Sequence, residues 1–278
     1  MSGTGSWYWD LVISLISKGI VSPEQWFHVD RAAYVCYGKR RRDRLDMKQL
    51  FRDVRRHMCW TKRVGDYLTD RNLEGLSMSD NPVFRTLARC GYDPAFVGSV
   101  ILAWAFRENG TRNTLWLRGP PESGAPYLAE ALAYSSPLVT CVDWRNRSNP
   151  FDRGMETLLF WWDGGHVPEA SVGFCMQVFR GESVMMPRGE DGRLVELPRT
   201  PVLVYSRHDM SRVMVRWGQY TDDYADAIRA SMYCLRFEPC EEWEGISGVT
   251  CEDVRAFLTW ALPRRVPVPP DVFDLKCD

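Results

Sequence analysis

The sequence predicts an α/β protein with a mostly parallel sheet flanked by helices and preceded by a small helical domain. Three observations predict it. From about residue 112, short and wholly apolar segments alternate with helical ones, as expected of parallel strands buried on both faces. Before that point, apolar residues recur at helical spacing. The first apolar strand also runs directly into Gly119, with Gly124 following, which is the glycine frame of a phosphate-binding loop. The 278 residues suffice for one large or two modest domains. The patterns divide them into a helical domain over 1–95 and an α/β domain over 96–278.

The segment WYWDLVISLISKGI is an amphipathic helix ended by Lys18-Gly19. Ser22 and Pro23 are the cap and first turn of a second helix. In RLDMKQLFRDVRRHMCW, Leu45, Leu50, Phe51, Val54 and Met58 fall on one buried helical face. Asn81-Pro82 and Asp93-Pro94 open further helices. Strands are expected over 114–118, 137–142, 157–162, 201–206 and 232–237, with helices near 126–135, 168–180 and 222–231. The stretch GESVMMPRGEDGRLVELP reads as a hairpin turning at Glu190-Asp191-Gly192, and CEDVRAFLTWAL as a final helix.

Nine cysteines without a CxxC pair predict reduced, mostly buried thiols in an intracellular protein. Neither Cys nor His residues stand at zinc-ligand spacing, so no metal site is expected. No run of eighteen apolar residues predicts a membrane span, and the N-terminus lacks secretory features. The net charge of −1 conceals a balance of +9 over residues 31–63. Lys39, Arg40, Arg41 and Arg42 head this region and are candidates for nuclear import or nucleic-acid contact. The usual reading of such a run is a solvated helix face.

The phosphate loop keeps its frame and lacks its chemistry. Where G-x-x-x-x-G-K-[ST] calls for lysine and a hydroxyl, TLWLRGPPESGAP supplies Ala125 and Pro126. There is no lysine between Lys62 and Lys276 to shift into register. A second apolar strand ends in Asp163-Gly164, where a carboxylate would hold Mg²⁺. A third, PVLVYSR, ends at Arg207.

These segments in this order resemble the superfamily 3 helicases of small DNA viruses, most closely the parvovirus Rep proteins of adeno-associated-virus type. The resemblance covers nearly the whole chain, through LVISLISKGIVSPEQW, GYDP, NTLWLRGP, AEALA, CVDWRNRSNPF, FWWDGG and TPVLVYS. It implies an AAA+-type P-loop NTPase fold. It also implies that the family's lysine and hydroxyl fall on Ala125 and Pro126, and its paired acids on Asp163 and Gly164. The sensor asparagine falls on Arg207. The arginine finger falls nearest Ser231, with Arg229 two residues upstream. Degenerate nucleotide-binding positions are therefore Gly119, Gly124, Ala125, Pro126 and Asp163, and vestigial catalytic ones Asp163, Arg207 and Arg229. ATP and Mg²⁺ are expected as cofactors only if the site has been rebuilt, through Arg118, Arg207 or Arg229. Arg207 is expected to pair with Asp163 instead. The family's channel hairpin matches the segment 181–198, where Arg188 and Arg193 are DNA-contact candidates flanking an acidic tip.

The four histidines lack the His-hydrophobic-His spacing of the family's nickase. The chain thus looks like a free-standing helicase half, as in the Rep-like proteins of larger DNA viruses such as avian adenoviruses. The expected function is non-enzymatic: binding DNA, Rep-type proteins or host replication proteins in the host nucleus, with homo-oligomerisation open. The alternatives are an active helicase with rearranged phosphate contacts and a pure protein-interaction scaffold.

Overall fold

The computed structural model describes residues 6–38, 46–70, 77–152, 154–188, 193–216, 218–239 and 248–276. The side chains of residues 6, 38, 187, 188 and 193 also lie outside the description. The helical part runs α1 (Ser6–Ser17), α2 (Pro23–Val29), α3 (Arg31–Gly38), α4 (Met47–Thr61), α5 (Gly65–Leu68), α6 (Pro82–Arg89) and α7 (Pro94–Ala105). Then follow β1 (Thr114–Arg118), α8 (Ala125–Tyr134), β2 (Val139–Cys141), β3 (Leu159–Asp163), β4 (Val167–Pro168) and α9 (Val172–Arg180). The hairpin β5 (Val184–Arg188) and β6 (Arg193–Leu197) precedes β7 (Val202–Ser206), β8 (Val213–Arg216) and β9 (Gln219–Thr221). The chain closes with α10 (Ala225–Arg229), β10 (Met232–Arg236) and α11 (Cys251–Ala261).

Local chemistry sets these boundaries as expected. The side chains of Ser22, Asn81 and Asp93 accept from backbone N–H groups inside α2, α6 and α7, each with proline in the first turn. Asp46 caps α4, and Leu50, Phe51, Val54 and Met58 are its buried stripe. Leu45 lies outside the described residues. Thr250 and Asp253 form a capping box on α11.

The main sheet is wholly parallel, in the order β10-β1-β7-β3-β2. Side-chain alternation splits it into two apolar faces. Leu115, Leu117, Leu159, Leu203 and Leu235 join a core that also contains Leu15, Val54, Leu87 and Leu258 from the helices. Trp116, Phe160, Trp162, Val204 and Cys234 face the other way, onto α9 and α10 through Phe179 and Ile228. A second small sheet, β4-β8-β9, was not foreseen. Its strands have only two to four residues, too few for a period of two to register.

Two adjacent polar residues ahead of β1 tie the layers together. Asn113 is wholly buried. Its Nδ2 donates to Val178 O (3.0 Å) and Thr200 O (2.7 Å), at the end of α9 and the approach to β7. Its own carbonyl accepts from Trp104 Nε1 (3.1 Å) and Val202 N (3.0 Å). The Arg112 guanidinium donates to four carbonyls: Arg229 (3.0 Å), Met232 (2.6 Å), Pro270 (2.8 Å) and Asp271 (2.8 Å). Burial pulls its pKa down from the ordinary arginine value, so the carbonyl cage carries the desolvation cost of a buried charge.

The expectation of mostly buried thiols is corrected. Among the described cysteines only Cys175 and Cys234 are buried, and Cys36 and Cys141 are exposed. Cover over the strand, not residue type, decides this: Cys234 in β10 faces the core of Phe179 and Ile228 and is bridged on its outer side by Asp274, whereas Cys141 ends the edge strand β2. No helix among the described residues is long and apolar enough to cross a membrane.

Asn113→Ala takes the side-chain donor away from Thr200 O, while Val178 O keeps its bond from Gly181 N. It is expected to cost about 1–3 kcal/mol, the range for one unsatisfied buried group, read as a lower urea midpoint with an unchanged slope.

Candidate functional site

The C-terminal ends of β1, β3 and β7 converge on one edge of the sheet. At β1 the chain turns at Gly119, whose N–H donates to Ser206 O (3.2 Å). A Cβ there would lie 2.5 Å from Ser123 Oγ and 2.7 Å from Phe237 O, so only glycine allows this approach. Pro121–Ser123 form one 3₁₀ turn, and Gly124, at φ 76°, redirects the chain into α8. The frame of a phosphate loop is therefore present.

The donors in that frame are mostly removed or occupied. Pro120, Pro121 and Pro126 have no N–H. Ser123 N–H donates to Pro120 O (3.0 Å). Ser123 Oγ donates to the same carbonyl (2.6 Å) and lies 3.4 Å from Ala125 N. Glu122 and Gly124 keep the other backbone N–H groups, and Glu122 adds a carboxylate. Ala125, at the lysine position, is 0 % exposed. Sequence reading missed the part played by Ser123, because the motif leaves that position free.

Asp163 ends β3 exposed, in register with Tyr205 of β7. Gly164 N–H donates to Tyr205 O (2.9 Å), and the turn continues through Gly165 at φ 83°. A Cβ on Gly165 would meet the Trp144 ring at 2.4 Å. Gly164 itself stands at φ 69°, a conformation that a carboxylate side chain would adopt only with strain.

The expected pairing of Arg207 with Asp163 is corrected. No ion pair among the described residues joins them. Both Asp163 and Arg207 are exposed, where an ion pair gains little over two hydrated charges. The acid that gathers arginines is Asp209. Its Oδ2 lies 3.3 Å from Arg118 Nη1 and 3.3 Å from Arg229 Nη2. Its Oδ1 accepts from Ser211 N (3.0 Å) and Ser211 Oγ (2.5 Å). Burial opposes its charge, but the Ser211 hydrogen bonds and the two guanidinium groups outweigh burial and hold its pKa below the usual carboxylate value. Arg118 and Arg229 are thus committed to an internal acid. Ser231 is buried, with Oγ donating to Ile228 O (2.6 Å). The Asp209-x-Ser211 turn was a readable local signal; its two distant arginines were not.

A cleft of about 490 Å³ opens beside this cluster, lined by Arg118, His166, Arg207, His208, Asp209 and Arg212. The His166 and His208 rings stack at 5.3 Å, and Tyr220 Oη lies 3.0 Å from His166 Nε2. Burial first, then His208, lowers the His166 pKa.

The nucleic-acid candidates are only partly placed. Lys39, Arg40, Arg41 and Arg42 lie outside the described residues. Arg188 and Arg193 are the last cross-strand pair of the β5–β6 hairpin, and the tip expected at Glu190-Asp191-Gly192 lies outside the description. Asp209→Asn removes the common partner of two arginines, at an expected cost of about 1–3 kcal/mol near pH 7. The folded carboxyl is held below its unfolded value of about 4. Its contribution is therefore complete above that value and lost as pH falls through the folded pKa. Urea midpoints of wild type and variant should converge in acid.

The model of the family described as Parvovirus non-structural protein NS1 matches residues 1–272. The ORF2 protein of Fowl adenovirus A serotype 1 (strain CELO / Phelps) is 43% identical over 266 residues, covering 94% of this chain and 95% of its own. Protein Rep52 of Adeno-associated virus 2 is 30% identical over 261 residues, or 93% of this chain. The chain spans 64% of the length of Rep52. A solved helicase of JCV matches at TM-score 0.48 and 12% identity, over 89% of this chain and 74% of that one. The chain belongs to the parvovirus non-structural protein NS1 family and is a Rep-like superfamily 3 helicase homologue with the α/β fold its sequence predicts.

Proposed function

We propose that this protein is a Rep-like factor that has kept the helicase fold and given up ATP turnover. It would act in viral DNA replication or its regulation by binding nucleic acid, Rep-type proteins or host replication proteins. The observation that carries the reading is the state of loop 119–126. Three prolines lack N–H groups, Ser123 occupies the loop interior, and Ala125 is buried where a lysine would reach a phosphate. These residues do not fit a Mg²⁺-bound triphosphate. A lost charge-assisted hydrogen bond weakens binding by about 1.5–3 kcal/mol, and several are lost together. Two of the three arginines considered as replacements for the lysine, Arg118 and Arg229, are held by Asp209, and the third, Arg207, is exposed. Without a carboxylate at 164, a water beside Asp163 has no second acid to orient it.

Titration calorimetry of the purified protein with ATP·Mg²⁺ is expected to show no saturable heat at millimolar nucleotide. Robust ATP-dependent strand separation, abolished by Asp163→Asn, would overturn the reading.

We also assign the sequence run Lys39–Arg42 to import into the host nucleus. Changing Arg40, Arg41 and Arg42 to Gln should redistribute a fluorescently tagged protein to the cytoplasm. Unchanged nuclear accumulation would remove that role from the run.

A further inference from the structure

The exposed face of α4 carries a pattern that the nucleotide site does not use. Lys48, Arg52, Arg56 and Trp60 follow one another at four-residue spacing, and all four are exposed. They form a single stripe with a side chain about every 6 Å along about 18 Å of helix. Like charges at this spacing repel and weaken the helix, so helix stability does not explain them. The only acid within α4, Asp53, is engaged by Tyr8 Oη (2.6 Å) and Gln49 Nε2 (2.9 Å). Arg55, off the stripe, is turned to Glu156 (3.5 Å). On the neighbouring α1, Asp10 is the one exposed acid.

The stripe ends in an aromatic row. Trp60 is 65% exposed and Trp9, from α1, is 43% exposed. His57 stands between them, its ring 4.8 Å from Trp9 and 5.4 Å from Trp60. The Arg56 guanidinium lies 4.8 Å from the Trp60 ring centre. Large exposed tryptophans beside cations that have no ion pair among the described residues make a stacking platform joined to a phosphate track. A second copy of the chain is the weaker occupant, because a symmetric contact would bring two cationic stripes together.

We infer that the α1–α4 face binds single-stranded nucleic acid, stacking bases on Trp60 and Trp9 while Lys48, Arg52 and Arg56 follow the phosphates. This deepens the nucleic-acid part of the function proposed above and rests on it. An extended single strand suits the site because its bases are free to stack, whereas those of a duplex are not.

The test titrates the full chain with a fluorescent oligothymidylate at several salt concentrations, with duplex of equal length as competitor. The basic run Lys39–Arg42 stays intact in every variant. Trp60→Ala should weaken single-strand binding about 5- to 100-fold, and Trp60→Phe should restore most of it. Arg56→Gln should reduce the slope of log K against log salt by about 0.7. Circular dichroism and urea midpoints should match wild type, since both side chains are exposed. Tight wild-type binding unaffected by Trp60→Ala would overturn the site while leaving nucleic-acid binding to another surface. Undetectable wild-type binding at low salt would overturn both. A concentration-dependent dimer in sedimentation, abolished by Trp60→Ala with oligonucleotide affinity unchanged, would reassign the face to self-association.

Discussion

The buried dipeptide Arg112-Asn113 is the constraint on which the rest of this structure depends. It stands at the entry to β1, which lies between β10 and β7 in the sheet. One residue's side chain gathers the carbonyls that end α9 and lead into β7. The other gathers carbonyls from α10, β10 and the C-terminal segment. Hydrophobic burial holds the sheet between its two cores, but burial is non-directional. Directional bonds to fixed carbonyls choose which strands lie beside β1, and that choice brings the ends of β1, β3 and β7 together.

The loop after β1 keeps its shape through contacts of its own. The frame rests on Gly119 against Phe237 and Ser206, on Gly124 in the left-handed region, and on α8 packed behind it. None of these contacts needs a bound phosphate. The side chains that would meet one are replaced by groups that satisfy the protein itself. Ser123 fills the loop, and Asp209 holds Arg118 and Arg229.

Much of the fold was legible in the sequence because its signals are local. The proline-led helices, the alternating apolar strands and the paired glycines each announce themselves within a few residues. Legibility failed where the relevant partner is distant or the element is short. Arg207 looked like a partner for Asp163 from motif order alone, yet both side chains end in solvent. The acid that collects arginines comes from the loop after β7, and its partners come from residues 118 and 229. The small β4-β8-β9 sheet has strands too brief to show a period.

The sequence by itself determined the fold class, the succession of the main-sheet strands along the chain and the residues that stand in the phosphate loop, since these depend on residue type and spacing along the chain. Tertiary structure alone decided which arginine meets which acid, that Ser123 closes its own loop, and that Trp9 and His57 stand beside Trp60. Those outcomes depend on distances across the fold, which packing sets and linear spacing does not record.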